Sequence, residues 1–319
     1  TTKADRSRMS DVVVAVDVGG TVIKSAVVTE DAQVLARLRV PTSAALGTEV
    51  VYNNIVESIE TLRDQLDEQS HVVAVGVVVT GIVDEKSGSA IHSENVGWNN
   101  IALRPMLAKH LGLPVGFGHD VRAGALAEGR LGAARGYDDY VFVAIGTGVS
   151  AGVIVAGKMV TGGGYAGEIG HVNSGRDVLC ACGGNGCVEA VASASAVARR
   201  YSERTGEDVD GAKEVAERVQ AGDADAMAVW ADAVDGLATA IAWTGGVISP
   251  QAVVVGGGMA SAGELLLAPL REHLAIKLNI LRAPELVQAQ LGDEAGCLGS
   301  ALLAWEAFES VSDGREDEA

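Results

Sequence analysis

Three of the chain's four cysteines fall within eight residues, in the stretch CACGGNGC from Cys180 to Cys187. Thiols at that density can pair, exchange electrons or hold a metal, and a metal site would want a fourth ligand. The C-x-C spacing of Cys180 and Cys182 is a poor match to the C-x-x-C of redox pairs. Just upstream, AGEIGHV carries Glu168 and His171, three apart in a glycine-rich context that implies a turn rather than a helical face. Carboxylates are the second source of chemistry. Asp17 ends the apolar run VVVAV directly before Gly19, Gly20 and Thr21, and Asp120 ends PVGFGHD at the start of a helical pattern. Taken alone, Asp17 also fits a turn former and Asp120 a helix cap.

Three apolar runs end in glycine-rich turns, DVGGT at Asp17, IGTG at Ile145 and VGGG at Val255. Where no side chain intervenes, backbone N–H groups can approach phosphate oxygens closely. Gly19, Gly20, Gly146, Gly148, Gly257 and Gly258 are therefore expected to face a nucleotide. Thr21 and Thr147 offer hydroxyls to its phosphates, Lys24 offers charge, and Asp17 is placed to hold Mg2+ directly or through water. Gly146, Gly148 and Ala151 also satisfy the spacing of a dinucleotide fingerprint. That motif needs a helix next, and the β-rich run VIVAGKMV follows instead. The lysine-bearing phosphate loop G-x-x-x-x-G-K-[ST] is absent.

These groups must be held by elements, and the sequence reads as alternating strands and helices. DVVVAVDVGG, TVIKSAVVTE and AQVLARLRV form a first meander. A helix bearing Ile55, Ile59, Leu62 and Leu66 follows, then the buried strand HVVAVGVVVTG. The segment from Gly81 to Gly97 reads as a loop, IALRPMLAKHLG as a helix, PVGFGHD as a strand and VRAGALAEGRLGAA as a helix. A second meander, YVFVAIGTG and VSAGVIVAGKMV, echoes the first and implies two related halves. Met227, Ala231, Val234, Ala238 and Ile241 mark one face of a long helix; the strand AVVVGGG and the helix LGSALLAWEAF close the fold. The expected class is α/β, two-lobed, with a cleft between lobes. Residues 1–120 plus 299–319 are expected to form a smaller N-terminal lobe, and 121–298 a larger C-terminal one.

The 319 residues carry a formal net charge of −18, which repels phosphate backbones and anionic membranes and argues against nucleic-acid partners. Aromatics at 4% leave little for a base-stacking platform. No apolar run nears the length of a membrane span, and the first one is too short for a secretory core, so a cytoplasmic protein is expected. Met9 stands as a candidate start, and the acidic tail SDGREDEA reads as frayed.

At this density of motifs the chain resembles the ROK family of sugar kinases and sugar-responsive repressors, within the actin/hexokinase superfamily of ribonuclease H-like folds. The resemblance runs from DVGGTVIKSAVV to the last helix, and AGEIGHV and CACGGNGCVE match the family's E-x-G-H and C-x-C-G-x-x-G-C-x-E signatures without a substitution. It implies a structural Zn2+ on His171, Cys180, Cys182 and Cys187, a closed site that pins a sugar-presenting loop. It implies ATP with Mg2+ as phosphate donor and Asp120 as the general base toward a sugar hydroxyl. Glu168, His171, Glu189, Asn95 and, with them, Gly81 would line the sugar pocket; Trp98 reads as a packing anchor and Cys297 as a small buried residue. His119 is the departure, because the family usually carries Asn before this aspartate. It is expected to contact the sugar. The implied activity is hexose 6-phosphorylation, glucose first, with N-acetylmannosamine or N-acetylglucosamine as the alternative acceptor. The implied assembly is a homodimer or homotetramer. A repressor role is disfavoured, since little sequence precedes Asp17 for a DNA-binding domain.

Overall fold

The computed structural model describes residues 10–314, so Met9 and most of the acidic tail lie outside the described residues. The chain divides into two compact units. One comprises residues 10–127, 161–165 and 294–314, the other residues 128–160 and 166–293.

In the first unit, β1 (Ser10–Val18), β2 (Val22–Thr29) and β3 (Val34–Pro41) form an antiparallel meander. β4 (Ser70–Val79) and β8 (Val115–His119) extend it on the β1 side as parallel strands, giving the order β3-β2-β1-β4-β8. Val12 to Val16 are wholly buried because a central strand is covered on both faces, which explains an unbroken apolar run. The edge strand β3 alternates between half-buried and exposed positions.

Helix α1 (Thr48–Asp64) covers one face with Val51, Ile55, Ile59 and Leu62; Leu66 lies past the helix end but still packs on this core. The last helix, α9 (Ala295–Ser312), covers the other face with Cys297, Ala301 and Ala304. It lies so close that a Cβ on Gly76 of β4 would strike the Ser300 carbonyl, and one on Gly116 of β8 the Leu303 carbonyl. Ser300 Oγ accepts the Val16 N–H at 3.2 Å and donates to its carbonyl at 3.1 Å, which anchors α9 beside Asp17.

The segment read as a loop is a correction. It folds as a three-stranded antiparallel sheet of β5 (Ile82–Asp84), β6 (Ser89–Ser93) and β7 (Trp98–Ile101). Strands of three to five residues, broken by Asp, Ser and Asn, are too short for alternation to register. Trp98 is buried in the α1 core, as a packing anchor would be. Helix α2 (Leu103–Leu111) leads into β8, and α3 (Asp120–Leu131) begins directly at its end.

In the second unit, β9 (Tyr140–Ile145), β10 (Val149–Val155) and β11 (Lys158–Met159) form another meander, with β12 (Ala252–Gly256) and β13 (Glu285–Gln288) parallel to β9. The order β11-β10-β9-β12-β13 repeats that of the first sheet strand for strand and direction for direction. The sequence echo between the two meanders is thus an echo of topology. Helices α4 (Val188–Ala192), α5 (Ala194–Thr205), α6 (Gly211–Gln220), α7 (Ala224–Ile248) and α8 (Glu264–Leu278) complete the unit. The buried face of α7 is Ala226, Val229, Trp230, Ala233, Leu237 and Ile241, with Val234 and Ala238 beside it, whereas Met227 and Ala231 are exposed. A helix this rich in alanine carries little contrast between faces. On its buried face the Trp230 indole donates to the Leu265 carbonyl at 3.1 Å. Among the described residues no helix is long and apolar enough to cross a membrane.

Candidate active site and metal centre

In the first unit, β1 brings Asp17 to the end of a buried strand, and the chain turns through Gly19–Thr21 into β2. The turn is closed by the Gly19 N–H to the Val22 carbonyl at 3.1 Å. Thr42, fully buried, clamps it from outside: its Oγ1 donates to the Gly19 carbonyl at 2.6 Å and its N–H to that of Thr21 at 2.9 Å. Thr21 itself points its side chain to solvent. Asn95 adjoins the turn, so close that a Cβ on Gly20 would stand 3.0 Å from the Asn95 Cβ. The Asp17 carboxylate meets the first turn of α9, 2.8 Å from where a Cβ on Gly296 would be, at the helix end that favours negative charge. Lys24 is the cross-strand partner of Asp17 in the β1–β2 register.

His119 and Asp120 stand at the β8–α3 junction. Asp120 Oδ1 accepts the Val121 N–H at 2.7 Å, and 26% of the side chain remains exposed. Burial pushes its carboxyl up from 3.8 to about 6, against the opposing pull of the Val121 N–H and the Arg122 and Lys24 charges. His119 is 4% exposed, and burial, with the Arg122 charge next, brings its ring down to about 3. Its Nδ1 accepts the same Val121 N–H at 3.2 Å, which leaves the proton of the neutral ring on Nε2. Gly81, at the β4–β5 junction, has φ 107, and a Cβ there would run into the backbone of His92 and Ser93. Its glycine is therefore required by packing whatever else it does.

Arg122 and Glu85 were not singled out from the sequence. The Arg122 side chain is 2% exposed; its Nε donates to Glu85 Oε1 at 2.8 Å and its Nη1 to the Gly164 carbonyl at 3.3 Å. An arginine among the small apolar residues of VRAGALA was the available signal, since Arg is almost never fully buried unless paired.

In the second unit, the β9–β10 turn carries Gly146, exposed Thr147 and Gly148, closed by the Gly146 N–H to the Gly148 carbonyl at 2.9 Å. Glu189, in the first turn of α4, reaches this turn: its Oε2 accepts the Val149 N–H at 2.9 Å and lies 2.5 Å from where a Cβ on Gly148 would sit. Gly148 is thus needed by a carboxylate as well as being a candidate phosphate contact. Gly257, at φ 82, packs on the backbone of Ile145, so the turns after β9 and β12 are neighbours; Gly258 faces open space.

Glu168 precedes a short 3-10 turn, Ile169–His171, which puts its Oε2 3.9 Å from His171 Nε2. His171, Cys180, Cys182 and Cys187 each offer a ligand atom, all within 4.8 Å of one another. Cys182 Sγ and Cys187 Sγ are 3.7 Å apart, and Zn–S bonds of about 2.3 Å in a tetrahedron require roughly 3.8 Å. Gly184 lies against both sulfurs, 3.3 and 3.4 Å from its would-be Cβ. All four cysteines are free; burial raises the Cys187 thiol to about 12 and also raises the Cys180 thiol, whereas the Gly184 N–H lowers that of Cys182. The donor set and its spacing fit a tetrahedral cation that would replace those protons.

Comparison with known proteins finds relatives along nearly the whole chain. The chain is 32% identical to a glucokinase of Halalkalibacterium halodurans over 324 residues, covering 96% of this chain and 98% of the relative. It is 35% identical to an N-acetylmannosamine kinase of Escherichia coli O157:H7 over 303 residues, covering 91% and 97%. Its structure superimposes with a TM-score of 0.80 on a ROK family glucokinase from Streptomyces griseus in complex with glucose and AMPPNP, at 31% identity over 92% of this chain and 99% of the other. The actin/hexokinase-like α/β class expected from the sequence is the class of that neighbour. The ROK family profile matches residues 13–307, and the chain belongs to the ROK family.

Proposed function

We propose that the protein is an ATP-dependent hexokinase that transfers the γ-phosphoryl group to the 6-hydroxyl of glucose. The observation that carries the reading is the Asp120 carboxylate. It directly follows a buried strand, keeps a quarter of its surface open, and is poised at about 6, so that it is largely ionised near neutrality and still basic enough to take a proton. As the sugar oxygen forms its bond to the γ-phosphorus, the bond to the β-bridging oxygen breaks, the hydroxyl proton passes to Asp120, and ADP leaves.

Catalysis of this kind is mainly positioning and charge stabilisation. In the turns through Gly19–Thr21 and Gly146–Gly148, the N–H groups of Gly19 and Gly146 close the turns, so those of the residues that follow them are the ones presented to phosphate oxygens; Thr21 and Thr147 add hydroxyls, and Lys24 adds charge. Gly257 and Gly258 face the adenosine portion. Asp17 would hold the Mg2+ that accompanies ATP and neutralises its phosphates. Glu168, Glu189, His171, Asn95 and His119 hold the sugar. Glu189 already spends Oε2 on Val149, and its Oε1 accepts the Cys180 thiol at 4.0 Å, so Oε1 is the oxygen it would offer once that sulfur is held as a thiolate. His119, with Nδ1 occupied by Val121, acts as an N–H donor. His171 and the three cysteines would hold a structural Zn2+ that fixes the residues around Glu168.

The second reading is N-acetylmannosamine as acceptor, supported by the relative of that activity. Initial rates with ATP across glucose, mannose, fructose, N-acetylmannosamine and N-acetylglucosamine decide between them. Glucose is expected to give the highest kcat/KM. Turnover with no sugar would overturn the kinase reading, and a preference for an N-acetyl sugar would replace glucose with the second acceptor.

A further inference from the structure

Arg122 is a buried cation to which the proposed reaction gives no task. It sits in the first turn of α3, two residues after Asp120, with 2% of its side chain exposed. An unpaired guanidinium at that depth is strongly disfavoured, and this one is held on two sides. Nε donates to Glu85 Oε1 at 2.8 Å, and Nη1 donates to the Gly164 carbonyl at 3.3 Å.

Each partner belongs to a segment that leads to a candidate substrate group. Glu85 directly follows β5, in the small sheet whose segment carries Gly81 and Asn95. Gly164 ends the 3-10 turn Gly162–Gly164, which stands against Val83 of β5 and precedes Glu168 in the chain by four residues. One side chain therefore ties two segments, distant in sequence, to the helix turn that bears Asp120. The pair is built from this chain's own residues and shares none with the glycine turns or the metal cluster.

We propose that Arg122 is a positioning residue for the Asp120 base and the His119 ring, and that Glu85 holds Arg122 in place and limits the reach of its charge. The inference rests on the reading of Asp120 as general base. The charged groups around Asp120 are Arg122 on α3 and Lys24 on β2, with His119 at the end of β8; Glu85, after β5, faces Arg122 and His119. Arg122 and Lys24 both oppose the upward push of burial on Asp120. Arg122 favours the neutral form of His119, and Glu85 works against it there. A merely structural pair would fix geometry without this second effect, and the two roles separate in a pH profile.

The experiment measures kcat/KM for the preferred sugar from pH 5 to 9, by direct assay of labelled sugar phosphate, for the wild type, Arg122→Met, Arg122→Lys and Glu85→Gln. The acid limb reports the free enzyme's base. Arg122→Met is expected to move it upward by about one pH unit, the low end of the effect of a neighbouring opposite charge. Glu85→Gln still accepts the Arg122 hydrogen bond but leaves its charge unbalanced, so the limb moves downward. Arg122→Lys keeps the limb near its wild-type position while kcat falls. If the limb stays in place in both Arg122→Met and Glu85→Gln while rates fall, the pair is only structural and the proposal is overturned. Should Arg122→Met not fold, Glu85→Gln reads the limb alone, and a limb at or above the wild-type position overturns the proposal. Asp120→Asn, run in parallel, tests the underlying reading separately: retained turnover there removes the base itself, whatever the Arg122 variants do.

Discussion

Asp120→Asn should make the protein more stable while it stops the reaction. The carboxyl is pushed from 3.8 to about 6 in the folded protein, chiefly by burial. A folded value above the unfolded one means that the protonated form is the one the fold favours. The stabilising contribution is complete below about pH 4 and is lost as pH rises through 6. Two pK units correspond to about 3 kcal/mol of ionisation cost, present in full at pH 7.5 and reduced to roughly half at pH 5. Asparagine has no such cost, and its Oδ1 can still accept the Val121 N–H that Asp120 accepts at 2.7 Å. The variant should therefore resist urea better than the wild type by up to about 3 kcal/mol at pH 7.5, with a smaller gain at pH 5. Turnover should fall by about 10²–10⁴, the usual contribution of a general base. A variant equally or less stable at pH 7.5, or with a gain that does not shrink at pH 5, would refute the desolvated carboxylate. Undiminished turnover would refute its role as base.

Four further outcomes are expected. Gly148→Ala displaces the flexible end of Glu189, so it should break the bond to Val149 and cost about 1 kcal/mol with a marked loss of kcat/KM, read by thermal melting and initial rates. Gly257→Ala meets the Ile145 backbone at φ 82, where nothing flexible can yield, and should cost roughly 2–3 kcal/mol or more; equal costs for the two variants would contradict this difference. Purified protein should carry about one zinc per chain by elemental analysis. Its removal by a strong chelator should expose residues 173–187 to protease, and a metal-free active enzyme would count against the cluster. His119→Asn should alter relative kcat/KM across a hexose panel, because a fixed N–H donor is exchanged for an amide with both donor and acceptor; an unchanged ranking would remove His119 from the sugar site.

The sequence by itself determined the elements whose signal is local. Val12–Val16 is a run that only a strand covered on both faces accepts, and the glycine turns and C-x-C cluster declare themselves through residue type and spacing. The two meanders could be matched in sequence because each is a short-range pattern, and they fold into sheets of one strand order. Tertiary structure decided what depends on partners far away in the chain. Residues 82–101 pair as strands only because β5, β6 and β7 find one another, and the buried face of α7 is set by the core it packs into. Gly148 serves a glutamate forty-one positions later, and Thr42 clamps a turn it does not belong to. Above all, an arginine in a helix reads as a surface charge until Glu85 and the Gly164 carbonyl are seen to enclose it. Burial and charge neutralisation are properties of the whole packing, so no window of sequence contains them.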